Sequence, residues 1–473
     1  MQKKYFKVSS GLLFLLCLFN FVPTVNAATT YSVGTLYGSG TNHAGDDFRT
    51  NVINASNEYA KISGMDSNRN TQPTYTFMKK TSVLGNSKVF FINGHANNHY
   101  ITLGYTNTTE GRTGISVYND GWTGNGYKTA GLNSRSMSGT TLITFVGCET
   151  AGYVGDTDNL TDKALSKGAK AVVGWYHSIH SRVYNGPQWL SSYNSGLGGG
   201  LTIMNSIYRA KVAWPSSDLS DFYATRGNTN LTIGTSTQPL MVNNESNQKL
   251  LTANSVRSHN DALQLISSDY KIIDTSIMDF EPVDKEIIDE DLSSYTTLFE
   301  SSISKIKLKD ASFDPSDYKV TYHLANAENG YGDIYFTYYI DGKIETNKVY
   351  IATFENYKIT DIVLGGVTID NLDNVKTNVK TLLNNKISLF ENEKVSKLLE
   401  KDSNLFKKSK LQTNQVDVLD VNKKIKISSL NGNVIESSEL YYYDYNTQEL
   451  KYILKTVKNI NGLYDADGIE III

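Results

Sequence analysis

The sequence predicts an α/β protein with a mostly parallel sheet flanked by helices, followed by a C-terminal α+β region rich in antiparallel strands. Three observations predict it. In the first half, short apolar runs that end in turn residues, such as "KVFFING" (88–94) and "TLITFVG" (141–147), alternate with helical patterns. In the second half, apolar and polar residues alternate strictly over long stretches, as in half-buried antiparallel strands. Composition also changes along the chain. The first region is rich in Gly, Asn, Ser and Thr and holds all four tryptophans, whereas the second is richer in Lys, Asp, Glu and Ile. The 31 tyrosines and only 7 prolines favour pleated sheet throughout.

The chain opens "MQKKYFKVSSGLLFLLCLFNFVPTVNAATT". Lys3, Lys4 and Lys7 precede an apolar stretch from Gly11 to Val22, and small residues close it at Ala27, the three-part order of an export signal. A membrane span needs ~20 apolar residues, and this run is shorter and broken by Asn20. Residues 1–27 are expected to leave as a signal peptide. A secreted chain without a stable membrane anchor would remain. Its formal net charge of −3 falls to −6 when the three leader lysines go, and no large basic patch exists, so nucleic acid is excluded as an expected partner.

Four parts are expected: the signal at 1–27, a first domain at 28–240, a polar linker at 241–259 and a second domain at 260–473. In the first domain, "YSVGTLYG" (31–38) reads as a strand. "DDFRTNVINASNEYAKI" (46–62) has helical spacing at Phe48, Val52, Ile53 and Ala60. "TDKALSKGAKAVVGWY" (161–176) reads as a helix, a stop at Gly168 and a strand from Ala169 to Trp175. "LGGGLTIMNSIYRAKV" (197–212) reads as a loop and then a helix, and 97–127 as a surface hairpin excursion. In the second domain, 318–325 and 332–365 form a meander with Asp341-Gly342 as a hairpin turn. A helix is expected over 369–400, then more antiparallel strands.

If Cys17 leaves with the signal, Cys148 is the one cysteine of the mature chain and has no internal disulfide partner. A lone cysteine in an exported protein is an inert core residue, an intermolecular partner or a reactive thiol. The thiolate is the reactive form, and a nearby histidine promotes it. Of seven histidines, His95 follows "KVFFING" just as Cys148 follows "TLITFVG". Strand C-termini of a parallel sheet open on one edge, where ligands bind. Neighbouring strands lie ~4.8 Å apart, so side chains from two such ends can meet across a substrate. His99 is a competitor for the base. His177 and His180, after the next strand, read as cleft rim or solvent-facing residues rather than metal ligands.

Gly94-His95 after one apolar strand and "FVGCETAG" after the next resemble the caspase-like cysteine peptidases, a group that includes caspases, metacaspases, gingipains, clostripain and CHAT domains. "GCETAG" is similar to the Ser-Ala-Cys-Glu-Thr-Gly-like string of CHAT sequences, and "ALSKGAKAVVGWYHSIHS" to the helix and strand that follow it. The resemblance covers about 31–235. It implies a caspase-like fold, a Cys148–His95 dyad and an oxyanion hole formed by the N–H groups of Ala96 and Cys148. Two positions depart from the family pattern: Ala96 stands where glycine usually follows the histidine, and Gly147 where alanine is commoner before the cysteine.

The resemblance also implies a substrate pocket built from the loops after the first strand and after the strand that follows the cysteine strand. Asp46, Asp47, Asp156, Asp158, Trp175 and His177 are its candidates. An acidic pocket would suit a basic residue, whereas Arg182 argues for an acidic one, and Asp46-Asp47 also read as a helix N-terminus. The expected function is a secreted cysteine endopeptidase with no cofactor and no metal, acting on a protein or peptide. Two alternatives stay open: a secreted binding protein with an inactive caspase-like domain, and acyl transfer (transpeptidation) by the same dyad. The C-terminal domain is expected to bind a surface ligand or to inhibit the catalytic domain.

Overall fold

The computed structural model describes residues 28–237 except 39–42, 44, 105–111, 124–125 and 154–155; 240–241 and 250–251; 289–366 except 309, 327–328 and 341–343; and 424–472 except 429–433, 445–448 and 461. The expected signal peptide, most of the linker, the Asp341-Gly342 turn and the helix expected over 369–400 lie outside the described residues. Among the described residues, no helix is long and apolar enough to cross a membrane.

In chain order the first half forms β1 (Ala28–Val33), α1 (Arg49–Tyr59), β2 (Met65–Asn70), α2 (Tyr75–Met78), β3 (Val89–Asn93), β4 (Tyr100–Leu103), β5 (Thr113–Ser116), β6 (Gly121–Trp122) and β7 (Lys128–Gly131). Then come β8 (Leu142–Val146), α3 (Leu160–Ser166), β9 (Ala171–Trp175), α4 (Gly186–Gly198), α5 (Ile203–Ala213), α6 (Asp218–Asp221) and β10 (Tyr223–Gly227). The main sheet has the order β10-β9-β8-β3-β1-β2 and is parallel except for β10. The α/β class expected from the alternating runs is therefore present.

Strands β3, β8 and β9 are buried at every position, because layers cover both faces of the sheet, which is why they read as unbroken apolar runs. On one face, Val89, Phe91, Val146, Val173 and Trp175 pack with Val52 and Tyr59 of α1, Trp189 and Tyr193 of α4 and Ile207 of α5. On the other, Phe90, Ile92, Ile143 and Phe145 pack with Met78, Leu160 and Ala164 and with Ile101 and Ile115. Each such side chain, fully buried, contributes roughly 1.5–3 kcal/mol.

Three elements differ from the sequence reading. The buried stripe of α1 is Asn51, Val52, Ala55, Ser56 and Tyr59, and Ile53 and Ala60 face outward. Residues 97–131 are not a simple hairpin; they form a four-stranded sheet, β4-β5-β7-β6, that covers one face of the core. A helix, α4, occupies 186–198, where no helix was expected. Its Trp189, Tyr193 and Leu197 recur every four residues on the buried side.

The second half forms α7 (Asp289–Lys307), β11 (Tyr318–Asn326), β12 (Tyr331–Ile340), β13 (Ile344–Glu355), β14 (Lys358–Gly366), β15 (Lys424–Ser428), β16 (Val434–Asp444), β17 (Glu449–Ile460) and β18 (Leu463–Ile472). These strands make one eight-stranded sheet, antiparallel except where β13 meets β16. The sheet does not stand apart from the first half. Ala325, Tyr331 and Ala466 belong to the same apolar cluster as α1, α4 and α5. The contact is polar too: Lys211 of α5 pairs with Asp333 of β12, and Tyr335 Oη donates to Ser220 O at 2.9 Å.

Candidate active site

Strands β3 and β8 are neighbours, with Asn93 opposite Val146. His95 and Cys148 each lie two residues further on, at equivalent positions past two adjacent parallel strands. The turn at His95 depends on Gly94. A Cβ there would lie 2.1 Å from Thr102 O, because β4 returns directly over it. His95 O accepts the Thr102 N–H at 2.8 Å, and the His95 N–H donates to Tyr37 Oη at 3.3 Å. Tyr37 Oη in turn donates to Thr102 O at 2.7 Å. The loop after β1 thus clamps the backbone of the histidine.

The His95 ring is held on three sides by aromatic neighbours: stacked on His43 at 4.0 Å, and edge-on to Tyr37 at 4.8 Å and Phe48 at 5.0 Å. Its Nε2 lies 2.9 Å from Asp46 Oδ2. Asp46 Oδ1 also accepts from Arg182 at 2.5 Å, and the Arg182 guanidinium lies 5.0 Å over the Phe48 ring. A carboxylate at Nε2 fixes the proton there and leaves Nδ1 as the basic nitrogen. A histidine oriented by a carboxylate in this way is chemically able to serve as a base toward a nearby nucleophile. Sequence reasoning placed Asp46 among the pocket acids and did not see this partnership.

Cys148 begins a sharp turn. Glu149 takes a left-handed φ of 56°, costly for a residue with a side chain, and Gly152 N donates to Glu149 O at 2.8 Å. Glu149 N donates to His177 O at 3.1 Å, and Thr150 Oγ1 to Phe145 O at 3.0 Å, tying the turn to β8 and to the loop after β9. The thiol lies 3.9 Å from Ile179 O. Burial raises the Glu149 carboxyl to about 7. A half-neutral acid opposes an adjacent thiolate less than a fixed carboxylate does. Cys148 is 4% exposed, His95 3% and Ala96 0%, so all three lie under other parts of the protein.

The remaining expected site residues are spread around this centre. Asp47 Oδ1 accepts the Arg49 N–H at 2.9 Å at the start of α1, the helix-terminus placement. Trp175 is fully buried, its Nε1 donating to Leu219 O at 3.1 Å. His177 is half-buried with its ring 4.7 Å from Phe222. Asp156 accepts the Asp158 N–H at 2.9 Å, and Asp158 reaches His99 at 3.6 Å on the exposed rim. His180, expected at the rim or in solvent, is instead buried, with Nδ1 paired to Asp218.

Among the described residues, His43, Asp46 and His95 bring three possible metal-ligand atoms within 4.8 Å. Arg182 on the same carboxylate places a fixed positive charge beside that point. That charge opposes a cation and favours reading the cluster as an anchored histidine.

Ala96 and Gly147 complement each other in size. A Cβ at Gly147 would lie 2.6 Å from the Ala96 Cβ and 2.8 Å from Gly94 O. The methyl of Ala96 fills the space that Gly147 leaves. Gly147→Ala is therefore expected to cost about 1–3 kcal/mol by overpacking. Adding Ala96→Gly should recover part of that, with a coupling of at least ~0.5 kcal/mol in a denaturant-unfolding cycle. Additive losses would contradict that complementarity.

No family model and no curated protein matches the chain. Among solved structures, the "Crystal structure of the Arg specific cysteine proteinase gingipain R (RGPB)" is similar at a TM-score of 0.30 and 12% identity, over 44% of this chain and 47% of that one. The chain thus spans about half the length of the solved structure it resembles.

Proposed function

We propose that the chain is a secreted cysteine endopeptidase acting on proteins or peptides. The observation that carries the reading is the equivalent placement of His95 and Cys148 past adjacent parallel strands, with Asp46 anchoring the histidine. In this mechanism the Cys148 thiolate attacks the scissile carbonyl and an S–C bond forms. The oxyanion that results is met by the N–H groups of Ala96 and Cys148. His95, protonated and held by Asp46, gives its proton to the leaving amine as the C–N bond breaks. Water then attacks the thioester, its proton passes to His95 and the S–C bond breaks. Asp156 and Asp158, on the loop that follows Cys148, are the acids that support a preference for a basic side chain before the scissile bond. Asp46 and Asp47 are paired with Arg182 and Arg49.

Thiolate absorbance at 240 nm tests the dyad without needing reagent access. The difference between the mature chain and its Cys148→Ala variant is followed from pH 4 to 9. A thiolate already present at pH 6, whose midpoint moves up toward the ordinary ~8.5 in His95→Ala, is the expected result. Asp46→Asn should shift the midpoint in the same direction by a smaller amount. A midpoint at or above ~8.5 that ignores His95 would remove the peptidase reading and favour a binding protein.

A further inference from the structure

The β17–β18 hairpin of the C-terminal sheet crosses the edge on which His95 and Cys148 lie. Its tip meets the loop after β3. Tyr464 N donates to Ala96 O at 3.0 Å in an antiparallel bridge, and Asn97 Nδ2 donates to Gly462 O at 2.6 Å. Its middle, where Val457 pairs with Ala466, packs into the apolar cluster that contains Cys148. Further along, Lys455 pairs with Asp218 at 2.5 Å and lies 3.8 Å over the Tyr184 ring, both beyond the end of β9. The sheet order is β9-β8-β3. The hairpin therefore touches loops on both sides of the strand that presents Cys148.

We infer that this hairpin occupies the substrate groove, and that Ala96 O is the main-chain docking point for an extended polypeptide. The Tyr464 N–H of β18 meets Ala96 O as the backbone of an added strand meets a free edge, which is the backbone chemistry of a peptide substrate, while Lys455 of β17 reaches Asp218. The hairpin does this within the chain, at the high effective concentration of a tethered ligand. With the hairpin seated, Cys148 is 4% exposed. The ligand class of the groove is thus an extended peptide bound antiparallel to the His95–Ala96 segment, and the full chain is latent while the hairpin is seated. This rests on the peptidase reading for its catalytic meaning, but not for its geometry.

The full mature chain is compared with Tyr464→Pro, which removes the N–H to Ala96, and with Lys455→Met combined with it. Hydrogen exchange across 455–466 reports release of the hairpin. The rate of Cys148 alkylation by iodoacetamide reports access to the thiol, and a mixed peptide library reports cleavage. Released exchange with alkylation at least tenfold faster is expected, slowed again by a peptide of sequence GLYDAD added in trans. Exchange that does not change, or alkylation that stays slow after release, overturns the inference. Fast alkylation of the unmodified chain overturns it equally. Faster alkylation with no peptide cleaved keeps the groove and its occupant and removes the peptidase reading.

Discussion

Lys211→Ala is expected to destabilise the protein by about 3–5 kcal/mol, the loss that follows when one member of a buried ion pair is removed. Lys211 on α5 and Asp333 on β12 are both 0% exposed. Burial acts to raise the Asp333 carboxyl, but Lys211 with Thr353 and Tyr223 holds it below the usual carboxylate range. Thr353 Oγ1 donates to one carboxylate oxygen at 2.7 Å and Tyr223 Oη to the other at 2.8 Å. Removing the ammonium leaves the carboxylate buried with only neutral donors. The pair spans the two halves of the chain, so the loss falls on their docking. The midpoint of denaturant unfolding should drop, and Cys148 alkylation should quicken. Lys211→Met with Asp333→Asn should cost less than the two changes added together, because no charge is then stranded. A single-variant loss under ~1 kcal/mol would mean that water reaches the carboxylate, and that the halves are less tightly joined than this pair implies.

Much of the first sheet was legible because its strands are covered on both faces and so are apolar at every position. "KVFFING" and "TLITFVG" needed no long-range knowledge to be read, whereas their adjacency was a condition that only the structure supplies. The helix at 186–198 was not legible because four glycines crowd its second half and its end. Two of those glycines serve packing. A Cβ at Gly198 would lie 2.4 Å from Glu58 O, and one at Gly196 2.9 Å from Ser206 Oγ. A local helix-propensity reading counts them as breakers, while the signal that outlasts them is Trp189, Tyr193 and Leu197 at four-residue spacing. In the site, Cys148 and His95 announce themselves by residue type and strand position. Asp46 does not, since its partner stands 49 residues away and the sequence "GDD" reads equally well as a helix start. The hairpin over the groove lies further from sequence reasoning still. Asn97 and Gly462 are 365 residues apart, and no periodicity links them.

Lowering the pH from about 7 toward 4 is expected to loosen the same docking through His323. This histidine sits on β11, with Nε2–H donating to Tyr223 O at 2.6 Å and its ring 4.9 Å from that of Tyr223. Burial lowers it from 6.5 to about 4; Asp333 and the bond to Tyr223 act against that shift, and Lys211 and His177 add to it. A base held below its ordinary value stays neutral in the docked form while the separated form protonates. Its contribution is therefore complete above about pH 6.5 and is lost as pH falls from there to about 4, at ~1.4 kcal/mol per unit and about 3 kcal/mol in all. Asp218 works in the same direction at lower pH. Burial would raise it, but Lys455 and His180 hold it well below the usual range. Its share is kept above about pH 4 and lost below that. Asp221 works the other way: burial and the nearby Asp218 raise its carboxyl, so it takes up a proton on docking and acid favours the docked form. Asp221→Asn removes that opposing contribution. In this background, the protection of amides across 455–466 should fall, and Cys148 alkylation relative to the unfolded chain at the same pH should rise, both steeply between pH 6.5 and 4.5. His323→Gln, which keeps a donor for Tyr223 O and loses the charge, should flatten the rise. A pH profile that survives His323→Gln unchanged would assign the acid response to other groups and leave His323 a packing residue of the interface.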